Sequence, residues 1–99
     1  MKSKNPYIPI NNDWLNLYQE KPILPDLKII DPHHHLWNLE FGKYLVDDYT
    51  QDIKFSGHNI KASVYIMSSA NTKIYNNQPY NEYSSLPEIK FAYKEFLKA

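Results

Sequence analysis

Three consecutive histidines, His33, His34 and His35, follow Asp31 and Pro32, and nothing else in the 99 residues looks as much like chemistry. On a β-strand successive side chains point to opposite faces, so His33 and His35 share one face and His34 takes the other. Neutral imidazole is a common ligand for zinc, iron, nickel and manganese-class ions, and the i, i+2 spacing lets both rings reach one ion with little backbone strain. Asp31 is expected on the same face, one step back. There it would accept a hydrogen bond from a ligand imidazole or bind the ion weakly itself. The competing reading of a His-x-His pair is weak surface metal affinity, or two ordinary half-buried histidines.

What must position the pair is the segment before it. Leu27, Ile29 and Ile30 read as the apolar run of a parallel strand covered on both faces. In parallel sheets ligands collect beyond the carboxyl ends of the strands, where the histidines sit.

Asp31-Pro32-His33-His34-His35-Leu36-Trp37, then Tyr44-Leu45-Val46-Asp47-Asp48, then Gly57-His58-Asn59-Ile60-Lys61-Ala62-Ser63-Val64-Tyr65 follow in order. In these three blocks the chain resembles the amidohydrolase-related family of TIM-barrel metal-dependent hydrolases and decarboxylases, clearly over residues 27–67 and more faintly on either side. The resemblance implies that His33 and His35 are two ligands of a divalent metal ion, zinc foremost, at the end of the first barrel strand. It implies no ligand role for His34, whose side chain should face away from the barrel axis. The family's other ligands and its catalytic acid come from later strands. Family members often carry polar or acidic residues at the end of the second strand, where this chain has Met67, Ser68 and Ser69.

Composition narrows the field further. Basic and acidic residues number 11 each, for a formal net charge of zero, and every basic residue is lysine. Without arginine there is no bidentate fork for phosphate and no basic stripe to follow a nucleic acid backbone, so a nucleic acid partner is not expected. Cysteine is absent, which excludes disulfides and thiolate metal sites. The basic start lacks the apolar run of a signal peptide, and no stretch reaches the roughly 18 apolar residues of a membrane span. No membrane association and a cytoplasmic location are therefore expected.

Along the chain, residues 1–26 read as an irregular arm carrying a short helix. Asn12 or Asp13 would cap that helix, and Trp14, Leu15 and Tyr18 would pack it against the body of the fold. Residues 27–99 read as a partial barrel domain: two strands, each followed by a helix. After Trp37 a loop over residues 38–43 occupies the position of a first active-site loop. Trp37 and Phe41 would wall a substrate pocket there, or else pin the loop to the barrel. Glu40 is expected to be solvated.

The next helix runs over residues 44–56, with Leu45, Tyr49 and Ile53 on its buried face, Asp47, Asp48 and Asp52 off it, and Gly57 as its stop. His58 falls between this helix and the second strand, residues 60–67, at the end opposite the metal pair, and is expected to be structural. Residues 71–85 read as a long loop. A last helix over residues 86–97 has Pro87 in its first turn and an apolar face of Ile89, Tyr93, Phe96 and Leu97.

The expected fold class is thus α/β, the N-terminal βαβα portion of an incomplete TIM (β/α)8 barrel. A whole barrel takes about 250 residues. Two strands and two helices leave sheet edges unpaired and should be marginal alone. The function implied by the resemblance is hydrolysis by metal-activated water attacking an ester, lactone or amide carbon of a small-molecule substrate, or decarboxylation in some members. The chain by itself would be inactive. Two alternatives stay open: a subunit of a split enzyme, active with a complementary chain or as a homo-oligomer, and a non-catalytic metal-binding or interaction module.

Overall fold

Strand β1 (Lys28–His34) and strand β4 (Asn59–Tyr65) pair in parallel and form the centre of the fold. The computed structural model describes residues 9–39, 42–68 and 81–99. Between the paired strands the chain makes a small antiparallel ribbon, β2 (Trp37–Leu39) and β3 (Gly42–Tyr44), and then helix α2 (Val46–Ser56). Helix α1 (Asn12–Leu15) precedes the sheet and helix α3 (Leu86–Phe96) closes the chain. The architecture is mixed α/β, with two two-stranded sheets and three helices among the described residues.

Ile29 pairs with Ile60 and Asp31 with Ser63, but His34 pairs with Tyr65, so β1 carries one extra residue between Asp31 and His34. Pro32 lies in that interval. It has no N–H to give to a ladder, and a bulge is the usual way for a strand to contain it. The bulge also interrupts strict alternation, with consequences for Asp31 described below.

Helix α2 begins at Val46, later than the periodicity suggests, because Tyr44 belongs to the ribbon. The Asp48 carboxylate reaches back to the Leu45 N–H at 2.8 Å, and Glu95 of α3 accepts from the Val46 N–H at 3.4 Å. Two of the free donors of the first turn are thereby satisfied. Gly57 ends the helix in the left-handed region at φ 72°. Of the predicted inward face, Leu45, Tyr49 and Ile53 are half-buried, whereas Val46 is the buried residue of this helix and Asp47, Asp48 and Asp52 are exposed.

Three expectations are corrected. The segment after Trp37 is a paired ribbon rather than a loop, with Trp37 opposite Tyr44 and Asn38 opposite Lys43; Glu40 and Phe41 lie outside the described residues. Helix α1 is only four residues long and is capped by Asn11, whose Oδ1 accepts from the Trp14 N–H at 3.0 Å. Trp14, Leu15 and Tyr18 are exposed, since a single turn is too short to hold a continuous apolar face against anything. Of the expected apolar face of α3, Ile89, Tyr93 and Leu97 are exposed, while Phe96 meets the rings of His34 and Tyr65 edge-on. Glu88, Ala92 and Glu95 are buried instead.

The buried apolar core is accordingly small. Leu36, Val46 and Ala92 are its buried members among the described residues, beside four buried polar ones, His34, Ser84, Glu88 and Glu95. Helices α2 and α3 meet the sheet on the face that carries His34 and Tyr65. The residues of opposite orientation, Ile30 and Val64, stay exposed at 65% and 46%. Among the described residues no helix is long and apolar enough to cross a membrane.

Candidate functional site

At the carboxyl end of β1 the Nε2 atoms of His33 and His35 face one another at 3.1 Å. Their rings meet edge to face, with centroids 4.8 Å apart and planes at 81°. Two metal bonds of about 2.0–2.1 Å, opening between a right angle and a tetrahedral angle, span roughly 2.8–3.4 Å between ligand nitrogens. The observed spacing falls within that span.

The tautomer of His35 follows from its other nitrogen. Nδ1 lies 2.8 Å from the carbonyl oxygen of Ile66, which can only accept, so Nδ1 carries the proton and donates it. In the neutral ring Nε2 is then a bare lone pair aimed at His33. Such a lone pair needs either a donor, in which case His33 presents Nε2–H, or a cation shared by both rings. Fixing a ligand imidazole through its far nitrogen is the usual support for a metal-binding histidine.

The Ile66 peptide is itself held, since its N–H donates to the carbonyl of His34 at 2.8 Å. The residues on either side of it are anchored to α3. Glu88 Oε1 accepts from the Tyr65 hydroxyl and from the Ser68 N–H, both at 2.8 Å, and lies 3.4 Å from the Ser68 hydroxyl. The Glu88 side chain is fully buried.

His34 points the other way, as alternation requires. It is 6% exposed and packed among rings: Tyr49 stacks on it at 4.2 Å, while Tyr65 and Phe96 approach edge-on at 5.7 and 5.9 Å. Neither of its ring nitrogens has a hydrogen-bond partner within normal geometry, although the Val64 backbone lies near enough to favour the protonated ring weakly. Burial holds its pKa below the ordinary imidazole value, against the opposing pull of the Asp31 carboxylate.

Asp31 does not support an imidazole ring. Its Oδ1 accepts from the backbone N–H of His33 at 3.1 Å and its Oδ2 from the Tyr49 hydroxyl at 2.8 Å. These two bonds, the tyrosine first, hold its carboxyl below the usual range. The bulge at Pro32 is the reason: one extra residue turns Asp31 towards α2 together with His34.

Trp37 stacks beside His35 at 5.1 Å and 26°, and with His33, His34, His35, Tyr44, Tyr49 and Asp52 it lines a shallow open depression. The sequence left Trp37 either as a wall of a substrate pocket or as a pin for the loop; Phe41, its expected companion, lies outside the described residues. His58 lies at the other end of the sheet, in a recess with Pro22, Leu24, Leu27 and Ile29, remote from the histidine pair. Among the described residues no group of three His, Cys, Asp or Glu side chains converges as a metal site. The residue missed from the sequence is Glu88. A glutamate on a surface-like helical pattern carries no signal of burial, and only the packing of α3 reveals it.

No protein-family model, curated protein or solved structure matches the chain.

Proposed function

We propose that this chain is the opening βαβα portion of an amidohydrolase-related TIM barrel, and that His33 and His35 are two ligands of a divalent metal ion, zinc foremost, in a metal-dependent hydrolase. The observation that carries the reading is the pair of Nε2 atoms 3.1 Å apart, one of them kept bare by the bond from His35 Nδ1–H to the Ile66 carbonyl. Its place at the carboxyl end of a parallel strand supports the same reading, because that end of such a sheet is where active sites are built.

When bound, the ion supplies a Lewis acid and a water acidified towards neutral pH, suited to attack on an ester, lactone or amide carbon. The chain's own contribution is narrower. His33 and His35 bind and orient through their ring nitrogens. The Ile66 carbonyl keeps the His35 proton on Nδ1, and Trp37 walls one side of the depression with apolar surface. A further ligand and a general base are needed for turnover, and among the described residues no third ligand joins the pair.

A second reading, a non-catalytic metal-binding or interaction module, needs only the facing Nε2 atoms of the pair. Zinc titration followed by calorimetry and elemental analysis of the purified chain tests the site common to both. One ion per chain is expected, held by the wild type and lost in the His33→Ala, His35→Ala double variant. No binding by the wild type, or equal binding by the variant, would rule the site out. Hydrolysis of esters and lactones in the presence of the remaining barrel strands would separate the enzyme from the module.

A further inference from the structure

We infer that Glu88 is a positioning residue for the histidine pair: anchored on α3, it grips both sides of Ile66 and so holds the carbonyl that sets the tautomer of His35. The inference rests on the reading of His33 and His35 as metal ligands for its effect on affinity, though not for its effect on the tautomer.

The chain of contacts is short. Glu88 Oε1 accepts from Tyr65 Oη and Ser68 N at 2.8 Å each, the residues one before and two after Ile66. The Ile66 N–H is tied to the His34 carbonyl and its C=O receives the His35 Nδ1–H, each at 2.8 Å. Strand β4 ends at Tyr65, and beyond it the bond from the Ile66 N–H to the His34 carbonyl carries the pairing one peptide further, short of Ser68. The carboxylate holds Ser68, and burial strengthens that hold, because hydrogen bonds to a charged acceptor are the strong ones and water does not compete for a fully buried oxygen. If the grip is lost, the Ile66 carbonyl drifts from His35, and the ring is free to place its proton on Nε2, the atom a metal needs bare.

Helix α3 provides an internal control. Glu95 lies two turns on, is also buried, and bonds to Lys98 and to the Val46 N–H at the start of α2, away from Ile66. The two glutamates thus share a helix and a burial class but serve different peptides.

The test uses the full 99-residue chain labelled with nitrogen-15, free of metal, above the ordinary imidazole pKa of about 6.5, where ring nitrogen shifts report which nitrogen of His35 is protonated. The wild type is expected as the Nδ1–H form. Glu88→Met fills the same space without an acceptor; it is expected to move His35 to a mixture with the Nε2–H form and to weaken zinc binding by about tenfold or more. Glu88→Gln, which retains an accepting oxygen, is expected to restore most of both. Glu95→Met is expected to leave the tautomer unchanged.

An unchanged tautomer in a folded Glu88→Met chain would overturn the inference, as would an equal change in Glu95→Met, which would point to general loosening of α3. Should Glu88→Met fail to fold by circular dichroism, Tyr65→Phe decides: removal of one of the two short bonds should produce a smaller change of the same sign, and no change overturns the inference. Failure of the metal reading is separately visible. A wild-type chain that takes up no zinc but whose His35 tautomer responds to Glu88 sinks the metal site and leaves the positioning role intact.

Discussion

Tyr49 lies flat on His34, ring centroids 4.2 Å apart and planes 9° apart. Through its hydroxyl the same side chain reaches Asp31 on the other side of the bulge. Helix α2 therefore grips the back of the strand whose front presents His33 and His35, and the facing of the triplet depends on that grip.

Removing the hydroxyl and removing the ring should consequently differ. Tyr49→Phe keeps the stack and loses one hydrogen bond to a carboxylate, a cost of about 1–2 kcal/mol. Tyr49→Ala also loses the ring, and about 3–5 kcal/mol is expected. Urea denaturation of the two variants checks the ordering; equal losses would mean the stack contributes nothing.

His34 carries two buried nitrogens without partners, and an aromatic ring of similar shape would spare their desolvation. His34→Phe is expected to be neutral or stabilising by up to about 1 kcal/mol and to bind zinc as the wild type does. Zinc at about one hundred times its Kd should stabilise the wild type and His34→Phe alike by roughly 2.7 kcal/mol, and His33→Ala by nothing measurable. Thermal melts with zinc and then with excess chelator read both effects. Loss of zinc binding in His34→Phe would make His34 a ligand.

Gly57 combines φ 72° with a neighbour: a Cβ built on it would lie 3.0 Å from Pro22 Cγ. Gly57→Ala is expected to cost about 1–2 kcal/mol from the left-handed conformation, with crowding against Pro22 added to it. The same variant should loosen the segment before β1. Denaturation midpoints and proteolysis near Pro22 would report it, and an unchanged midpoint would contradict the tight C-cap.

Burial first, and then the bond to Glu88, raise the pKa of Tyr65 above its ordinary 10.0. A group whose folded pKa is raised contributes stability that is complete below the unfolded pKa and is lost as pH climbs from there towards the folded value. Stability should therefore hold up to about pH 10 and decline above it. In Tyr65→Phe the alkaline slope should shrink without vanishing, because Tyr44 and Tyr49 are raised in the same sense. Alkaline titration of tyrosinate absorbance alongside circular dichroism tests the sign.

Several parts of the fold were legible from residues alone. The apolar run before the histidines marks β1, the four-residue apolar spacing and Gly57 mark α2 and its end, and the run around Val64 marks β4. These signals are local: alternation, helical period and a glycine stop depend on near neighbours in the chain. The ribbon of β2 and β3 was not legible, because strands of three residues with polar members carry no period. The face of α3 was misread for a related reason. Periodicity ranks side chains by hydropathy, and it places Glu88 and Glu95 in water; in the fold Tyr65 and Ser68 bond to the first, and Val46 and Lys98 to the second.

By itself the sequence determined that two imidazoles would share one face at the end of a strand, with the third behind them, since a two-residue repeat in an extended chain allows little else. Tertiary structure decided the rest of the site. It turned Asp31 towards Tyr49 through the bulge at Pro32, caged His34 among aromatic rings, and brought the Ile66 carbonyl to His35 under the hold of Glu88. Each of those contacts joins residues far apart in the chain or depends on a ladder offset, and such terms are set by how elements pack rather than by which residue follows which.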